Sequence, residues 1–258
     1  MSKINEDPRI DPRIKALFGA FDMPPQSAAE NRDALVAAAN SPQAKQQREA
    51  MMGFFAAMDF ESVAPSVGLA IRTIEIPSAP DGNTINIHYI RPDTAEVLPC
   101  VYYIHGGGMQ SLSCYDPNYQ AWGRMIAHQG VAVAMVDFRN ALTPSSVEEL
   151  APYPGGLNDC ASGVRWVSEN ASDLAIDPDR IVIAGESGGG NLTLATGLKL
   201  KQDGDVGIIK GLYALCPYIA GRWPLPENPS STENNGILLD LHNPNGAIAY
   251  GIEALERE

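Results

Sequence analysis

Residues 181–192 read Ile-Val-Ile-Ala-Gly-Glu-Ser-Gly-Gly-Gly-Asn-Leu. The apolar, β-branched run at 181–184 predicts a short strand, a glycine-flanked serine follows at 187, and a helical stretch begins directly after it. Strand, tight turn and helix in that order are the setting in which Gly-x-Ser-x-Gly forms a nucleophile elbow, with Ser187 as the candidate nucleophile. So sharp a turn holds its apex in strained backbone. It needs Gly185 and Gly189 where a Cβ would collide as helix and strand pack closely. Ser187 is therefore expected to stand proud of the sheet, within reach of a substrate.

In a chain with 24 glycines the pattern arises by chance, so a second element decides its meaning. Upstream, Val101-Tyr102-Tyr103-Ile104-His105-Gly106-Gly107-Gly108-Met109 is another buried-type strand, and it ends in a glycine run. This is the His-Gly-Gly-Gly type of oxyanion loop. Acyl transfer to serine builds negative charge on the former carbonyl oxygen, and each backbone N–H aimed there is worth roughly 3–4 kcal/mol. Glycines let the backbone come that close. The expected donors are the amides of Gly107, Gly108 and Gly188, with Gly106 part of the loop and His105 holding its shape rather than moving protons. Glu186, beside the nucleophile, has two readings: an acid that orients His105 or a nearby loop, or a plain surface-turn acid.

With both motifs in place, the chain resembles the hormone-sensitive-lipase-like branch of the α/β-hydrolases. The resemblance extends to Asp137-Phe138-Arg139, to Tyr153-Pro154-Gly155-Gly156-Leu157-Asn158-Asp159 leading into a helix, and to Asp177-Pro178-Asp179-Arg180-Ile181 before the elbow strand. It covers about residues 70–220. Within the branch, His105–Met109, Gly185–Leu192 and the segment 211–221 look closest to bacterial brefeldin A esterase-type enzymes. The resemblance implies a serine carboxylesterase acting on a small ester substrate without metal or organic cofactor. It also implies N-terminal helices that form part of a lid over the active site. A non-catalytic small-molecule receptor on the same scaffold is the alternative, and a degenerate interaction scaffold a third reading that the intact motifs oppose.

The triad in this fold runs Ser, then Asp or Glu, then His along the chain. After Ser187 the only histidine is His242. Asp240 and His242 lie two residues apart, which on a strand or a helix does not set an acid behind an imidazole that reaches Ser187. The acid and base are accordingly expected beyond residue 258, supplied by the protein's own C-terminal part. Without a general base a serine hydrolase loses on the order of a million-fold in rate, and the oxyanion hole and binding alone retain roughly 10³–10⁴ over water. A parallel sheet that stopped after its sixth strand would also leave an apolar edge unpaired. His88, in a strand-like segment, and His128, in a helical one, read as structural.

Composition bounds the rest. A net charge of −13 and a pI near 4.7 argue against nucleic acid and anionic membrane surfaces as partners. No apolar run approaches a membrane span, and the N-terminus lacks the hydrophobic stretch of a signal peptide, so a cytoplasmic location is expected. Cys100, Cys114, Cys160 and Cys216 have no metal-site or disulfide spacing. The patterns around Cys100, Cys160 and Cys216 imply burial. A homodimer is compatible with such a fold.

The expected organisation is an N-terminal helical cap over 1–70, an incomplete α/β core over 71–221, and a loop and helical segment over 222–258. In the cap, Asp11-Pro12 starts a helix over 13–21 that Pro24-Pro25 ends. Ser27 with Glu30 makes a capping box for a helix to about Ala39. Ser41-Pro42 opens a third helix carrying Met51, Met52, Phe54, Phe55, Met58 and Phe60. These apolar side chains either pack against the main domain or line an acyl pocket. In the core, strands at 71–76, 85–90, 100–104, 131–136, 181–184 and 211–215 alternate with helices near 118–129, 157–170 and 189–202. That pattern predicts a mostly parallel sheet covered on both faces. Leu157, Cys160, Ala161, Val164 and Val167 share one helix face. Asp159 and Arg165 read as a cap and a solvated charge, and Asp137 and Arg139 as loop braces through ion pairs.

Overall fold

The computed structural model describes residues 3–19, 28–58, 60–219 and 245–251. Its six strands are β1 (Leu69–Pro77), β2 (Thr84–Pro92), β3 (Leu98–Ile104), β4 (Ala132–Asp137), β5 (Ile176–Glu186) and β6 (Gly211–Leu215). They form one mixed sheet in the order β1-β2-β4-β3-β5-β6. β1 and β2 are an antiparallel pair and β2 runs antiparallel to β4, whereas β3, β4, β5 and β6 are mutually parallel. The architecture is that of an α/β-hydrolase.

The period of two along each strand sorts the side chains into two cores. Tyr102, Ile104, Ala134, Val136 and Ile183 point into one, which α7 (Gly155–Glu169) and α9 (Gly188–Asp203) cover. Tyr103, Val133, Met135 and Ala184 point into the other, under α6 (Pro117–Ala127). The expected α7 face, Leu157, Cys160, Ala161, Val164 and Val167, is buried throughout. All of β4 is buried as well, as a central parallel strand covered on both sides should be.

In the N-terminal part, α1 is Lys3–Glu6 and α2 is Pro12–Phe18, where Asp11 caps the Arg13 amide at 2.8 Å. Helix α3 (Arg32–Ala39) corrects the expected capping box: its cap is Asn31, whose extended backbone lets Oδ1 accept from the Ala34 amide at 2.9 Å. Glu30 precedes that start, and Ser27 and Pro24-Pro25 lie outside the described residues. Ser41 caps α4 (Pro42–Ala56) as expected, but α4 stops at Ala56 and Phe60 belongs to the separate turn α5 (Phe60–Val63). No residue of α4 is buried, and Met51, Phe54 and Met58 are 41–50% exposed, whereas Met52, Phe55 and Phe60 are half-buried and α4 and α5 both lie against α6, so the cluster rests on the main domain along one side only. Helix α3 is tied to the core by polar contacts: Arg32 donates to Ala141 O and, through Nε, to Ala249 O in α10 (Asn245–Tyr250). The short α8 (Ala171–Leu174) leads into β5.

Four side-chain expectations are corrected. Asp159 is not a helix cap but a fully buried carboxylate, paired with Arg139 Nε at 2.9 Å and accepting from Ser78 and Asn83. Arg139 also reaches Asp81 and Glu149, each at 2.7 Å, and so braces its loops as expected, whereas Asp137 works through uncharged donors. Arg165 is no lone solvated charge, because it pairs with Asp203 and Asp205. Cys216 is exposed, while Cys114 is buried along with Cys100 and Cys160. Cys216 follows the last residue of β6, where the chain has already left the sheet.

Candidate active site

Strand β5 ends at Glu186 and α9 begins at Gly188, so Ser187 alone makes the turn. Its φ of 55° and ψ of −118° place it in the strained region that a non-glycine residue occupies only when its surroundings enforce it. They do so through the backbone. The Ser187 N–H donates to Leu215 O at 2.9 Å, and its carbonyl accepts from Asn191 N and Tyr218 N. A Cβ on Gly185 would lie 2.4 Å from Gly189 O, and one on Gly189 would lie 2.1 Å from Ile104 O, which is why both flanking positions are glycine.

The loop after β3 closes over this turn. Gly107 and Gly108 have φ of +95° and +64°, and Met109 follows at +62°. A Cβ on Gly188 would sit 2.6 Å from Gly108 N and 2.7 Å from Met109 N, so the residue after Ser187 lies directly against the loop's amides. The loop is held from behind: Ala141 N donates to Met109 O, Leu142 N and Thr143 N to Gln110 O, and Asn140 Nδ2 to Leu112 O. His105 is fully buried, stacked on Phe138 with ring centroids 4.4 Å apart, and its Nδ1 bonds Gly106 O at 2.9 Å. Burial lowers its pKa, against the pull of Asp137, so the ring stays neutral. A neutral Nδ1 that bonds a carbonyl must be the protonated nitrogen.

Two further residues complete the surroundings: Asp137, which the sequence marks only as a loop brace, and Tyr119, which it passes over. Asp137, fully buried at the end of β4, accepts from Ser113 Oγ, Cys114 N and Ser146 N, and its Oδ1 lies 3.7 Å from His105 Nε2. Tyr119, in the first turn of α6, donates to Glu186 Oε1 at 2.6 Å and accepts from Gly106 N at 3.0 Å. Glu186 is thus neither a free surface acid nor a hydrogen-bond partner of His105. A strand end followed by an acid was the available signal for Asp137. Nothing local marks Tyr119.

Among the described residues, no side-chain base hydrogen-bonds Ser187 Oγ. His88 is buried in β2 beside Tyr115, and His128, at the end of α6, bonds Pro65 O. Asp240 and His242 lie outside the described residues. No group of three or more His, Cys, Asp or Glu side chains is placed to hold a metal, and no helix is long and apolar enough to cross a membrane, among the described residues.

The sequence profile of the alpha/beta hydrolase fold matches residues 101–248. The solved structure of esterase Est22 is 62% identical, with a TM-score of 0.91 over 98% of this chain and 74% of that one. Brefeldin A esterase, described as a bacterial homologue of human hormone sensitive lipase, is 34% identical with a TM-score of 0.79, over 96% of this chain and 69% of its own. Carboxylesterase NlhH of Mycobacterium tuberculosis is 35% identical over 171 residues, 65% of this chain and 49% of that protein. The chain spans about half the length of the curated carboxylesterase it matches.

Proposed function

This chain belongs to the hormone-sensitive-lipase-like branch of the alpha/beta hydrolase family, and from that premise we propose that it hydrolyses carboxylic esters through an acyl-enzyme on Ser187. Ser187 Oγ attacks the ester carbonyl carbon, and the amides of Gly107, Gly108 and Gly188 hold the oxygen as it turns negative. The C–O bond to the alcohol then breaks and the alcohol leaves with the proton that Ser187 gave up. Water repeats the sequence on the acyl-enzyme and releases the acid. An Asp or Glu and a histidine located beyond residue 258 move these protons. The open edge of β6, where Leu212, Tyr213 and Leu215 are 42–62% exposed among the described residues, supports further chain packing there.

The observation that carries the reading is the juxtaposition of a strained Ser187 with the Gly107–Met109 loop, close enough that no side chain fits at Gly188. A scaffold that only bound a ligand would have no use for a strained serine under converging amides, and the esterase relatives lend the receptor reading no support. Denaturing intact-mass spectrometry before and after a fluorophosphonate tests the proposal. One adduct that maps to Ser187, together with ester turnover, is the expected result. A protein that neither turns over esters nor takes up the label overturns it.

A further inference from the structure

We propose that Tyr119 is a positioning residue: anchored on Glu186, its hydroxyl pins the oxyanion loop to the nucleophile elbow in the one orientation that frees the Gly107 and Gly108 amides. The proposal rests on the esterase reading and adds a residue that neither motif contains.

The argument follows the hydrogens. A phenol has one proton and two lone pairs. Burial raises the Tyr119 pKa, and its bond to Glu186 raises it further, so the phenol keeps its proton. That proton goes to Glu186 Oε1 at 2.6 Å, which leaves the oxygen to accept the Gly106 N–H at 3.0 Å. The Gly106 amide is thereby withdrawn from the site. Gly106 O meanwhile accepts from His105 Nδ1 at 2.9 Å. In a trans peptide the C=O and the following N–H point in opposite directions, so a carbonyl turned toward His105 turns the Gly107 N–H away from it. Both ends of Gly106 are held, and the next amide is aimed as a result.

Glu186 is the residue before Ser187, so the same contact fixes the loop relative to the nucleophile. The fit is close: a Cβ on Gly106 would fall 2.0 Å from Glu186 Oε1 and 2.8 Å from Tyr119 Oη. The first glycine after His105 is explained by this bridge rather than by substrate access. The Tyr119 ring is itself buried, with its centroid 5.6 Å from that of His105, so the hydroxyl is carried on a rigid part of the second core.

The test compares Tyr119→Phe, Glu186→Leu, their double variant and Glu186→Gln in the full-length protein, with ester kcat and KM, inhibition by a trifluoromethyl ketone, and active serines counted with a fluorophosphonate. Loss of a bond to a charged acceptor predicts that Tyr119→Phe and Glu186→Leu each lower kcat per active serine about tenfold to a hundredfold. KM stays within about twofold, and the trifluoromethyl ketone, whose adduct carries the oxyanion, weakens by the same factor as kcat. The double variant is no slower than the worse single, because one bridge is broken either way. Glu186→Gln, whose amide oxygen still accepts, recovers most of the rate.

Should Tyr119→Phe fail to fold, Glu186→Leu carries the same comparison. Fewer active serines or a lower Tm at unchanged kcat per active serine would mean a merely structural residue and overturn the proposal, as would independent, multiplying effects of the two substitutions. A wild-type protein without turnover or label would overturn the esterase reading instead, and that is seen before any variant is made.

Discussion

Gly188→Ala is the perturbation that most directly probes the geometry around Ser187. The new methyl would start 2.6 Å from Gly108 N and 2.7 Å from Gly108 Cα and Met109 N, whereas ordinary contact begins at 3.4 Å. These are backbone atoms and cannot rotate away, so the loop must retreat by about 0.8 Å. A donor 2.9 Å from an oxyanion would then stand at about 3.7 Å, beyond hydrogen-bond range. Loss of one such donor costs roughly 10²–10³ in kcat, about 3–4 kcal/mol of transition-state stabilisation. We therefore expect Gly188→Ala to lower kcat at least about a hundredfold with little change in KM. Position 188 opens α9, where alanine is the better helix former by about 1 kcal/mol, so stability should fall far less than a clash in the core would imply. The assay is hydrolysis of p-nitrophenyl esters, with active serines counted by fluorophosphonate and folding followed by thermal melting. A kcat within about threefold of wild type in a folded variant would refute the placement of the loop amides over Ser187.

Asp159→Ala removes the fully buried partner of Arg139 and should cost about 3–5 kcal/mol in urea unfolding, since Asp81 and Glu149, both largely exposed, only partly compensate. A loss below about 1 kcal/mol would show that the network is not what holds these loops. His88, whose pKa burial lowers from 6.5 to about 4, is neutral in the fold and takes up a proton on unfolding, so its contribution is present above pH 6.5 and lost as pH falls toward 4. That amounts to about 3 kcal/mol, and the stability of His88→Leu should lack this acid-side slope; parallel profiles for the two proteins would contradict the assignment. Asn31→Ala should cost about 1 kcal/mol and speed hydrogen exchange at the Ala34 amide, whereas unchanged exchange there would argue against the cap.

Much of the frame was legible because it rests on local patterns. Alternating and continuous apolar runs placed every strand of the sheet, five of them to within about two residues and β5 with its first five residues missed, and the Gly-x-Ser-x-Gly and His-Gly-Gly-Gly segments named the elbow and the loop. The errors arose where a local signal had a nonlocal competitor. Ser27 and Glu30 matched a capping pattern, yet Asn31 lay closer to the actual start of α3. Asp159 sits near the start of α7, where acids are common, but its partner is an arginine just past the end of a different strand. Cys216 reads as the continuation of an apolar strand, and the chain leaves β6 one residue earlier.

The amino-acid sequence by itself determined the class of fold and the position of the candidate nucleophile, because strand periodicity and the glycine requirement of a tight turn act over a few residues. Only the tertiary structure decided what surrounds that serine. Tyr119 and Glu186 are 67 residues apart, and Asp137 meets Ser113 and Cys114 from the far side of α6 in the chain. Such contacts depend on which strands become neighbours and on helices packing to within an ångström, and no periodicity along the chain encodes them.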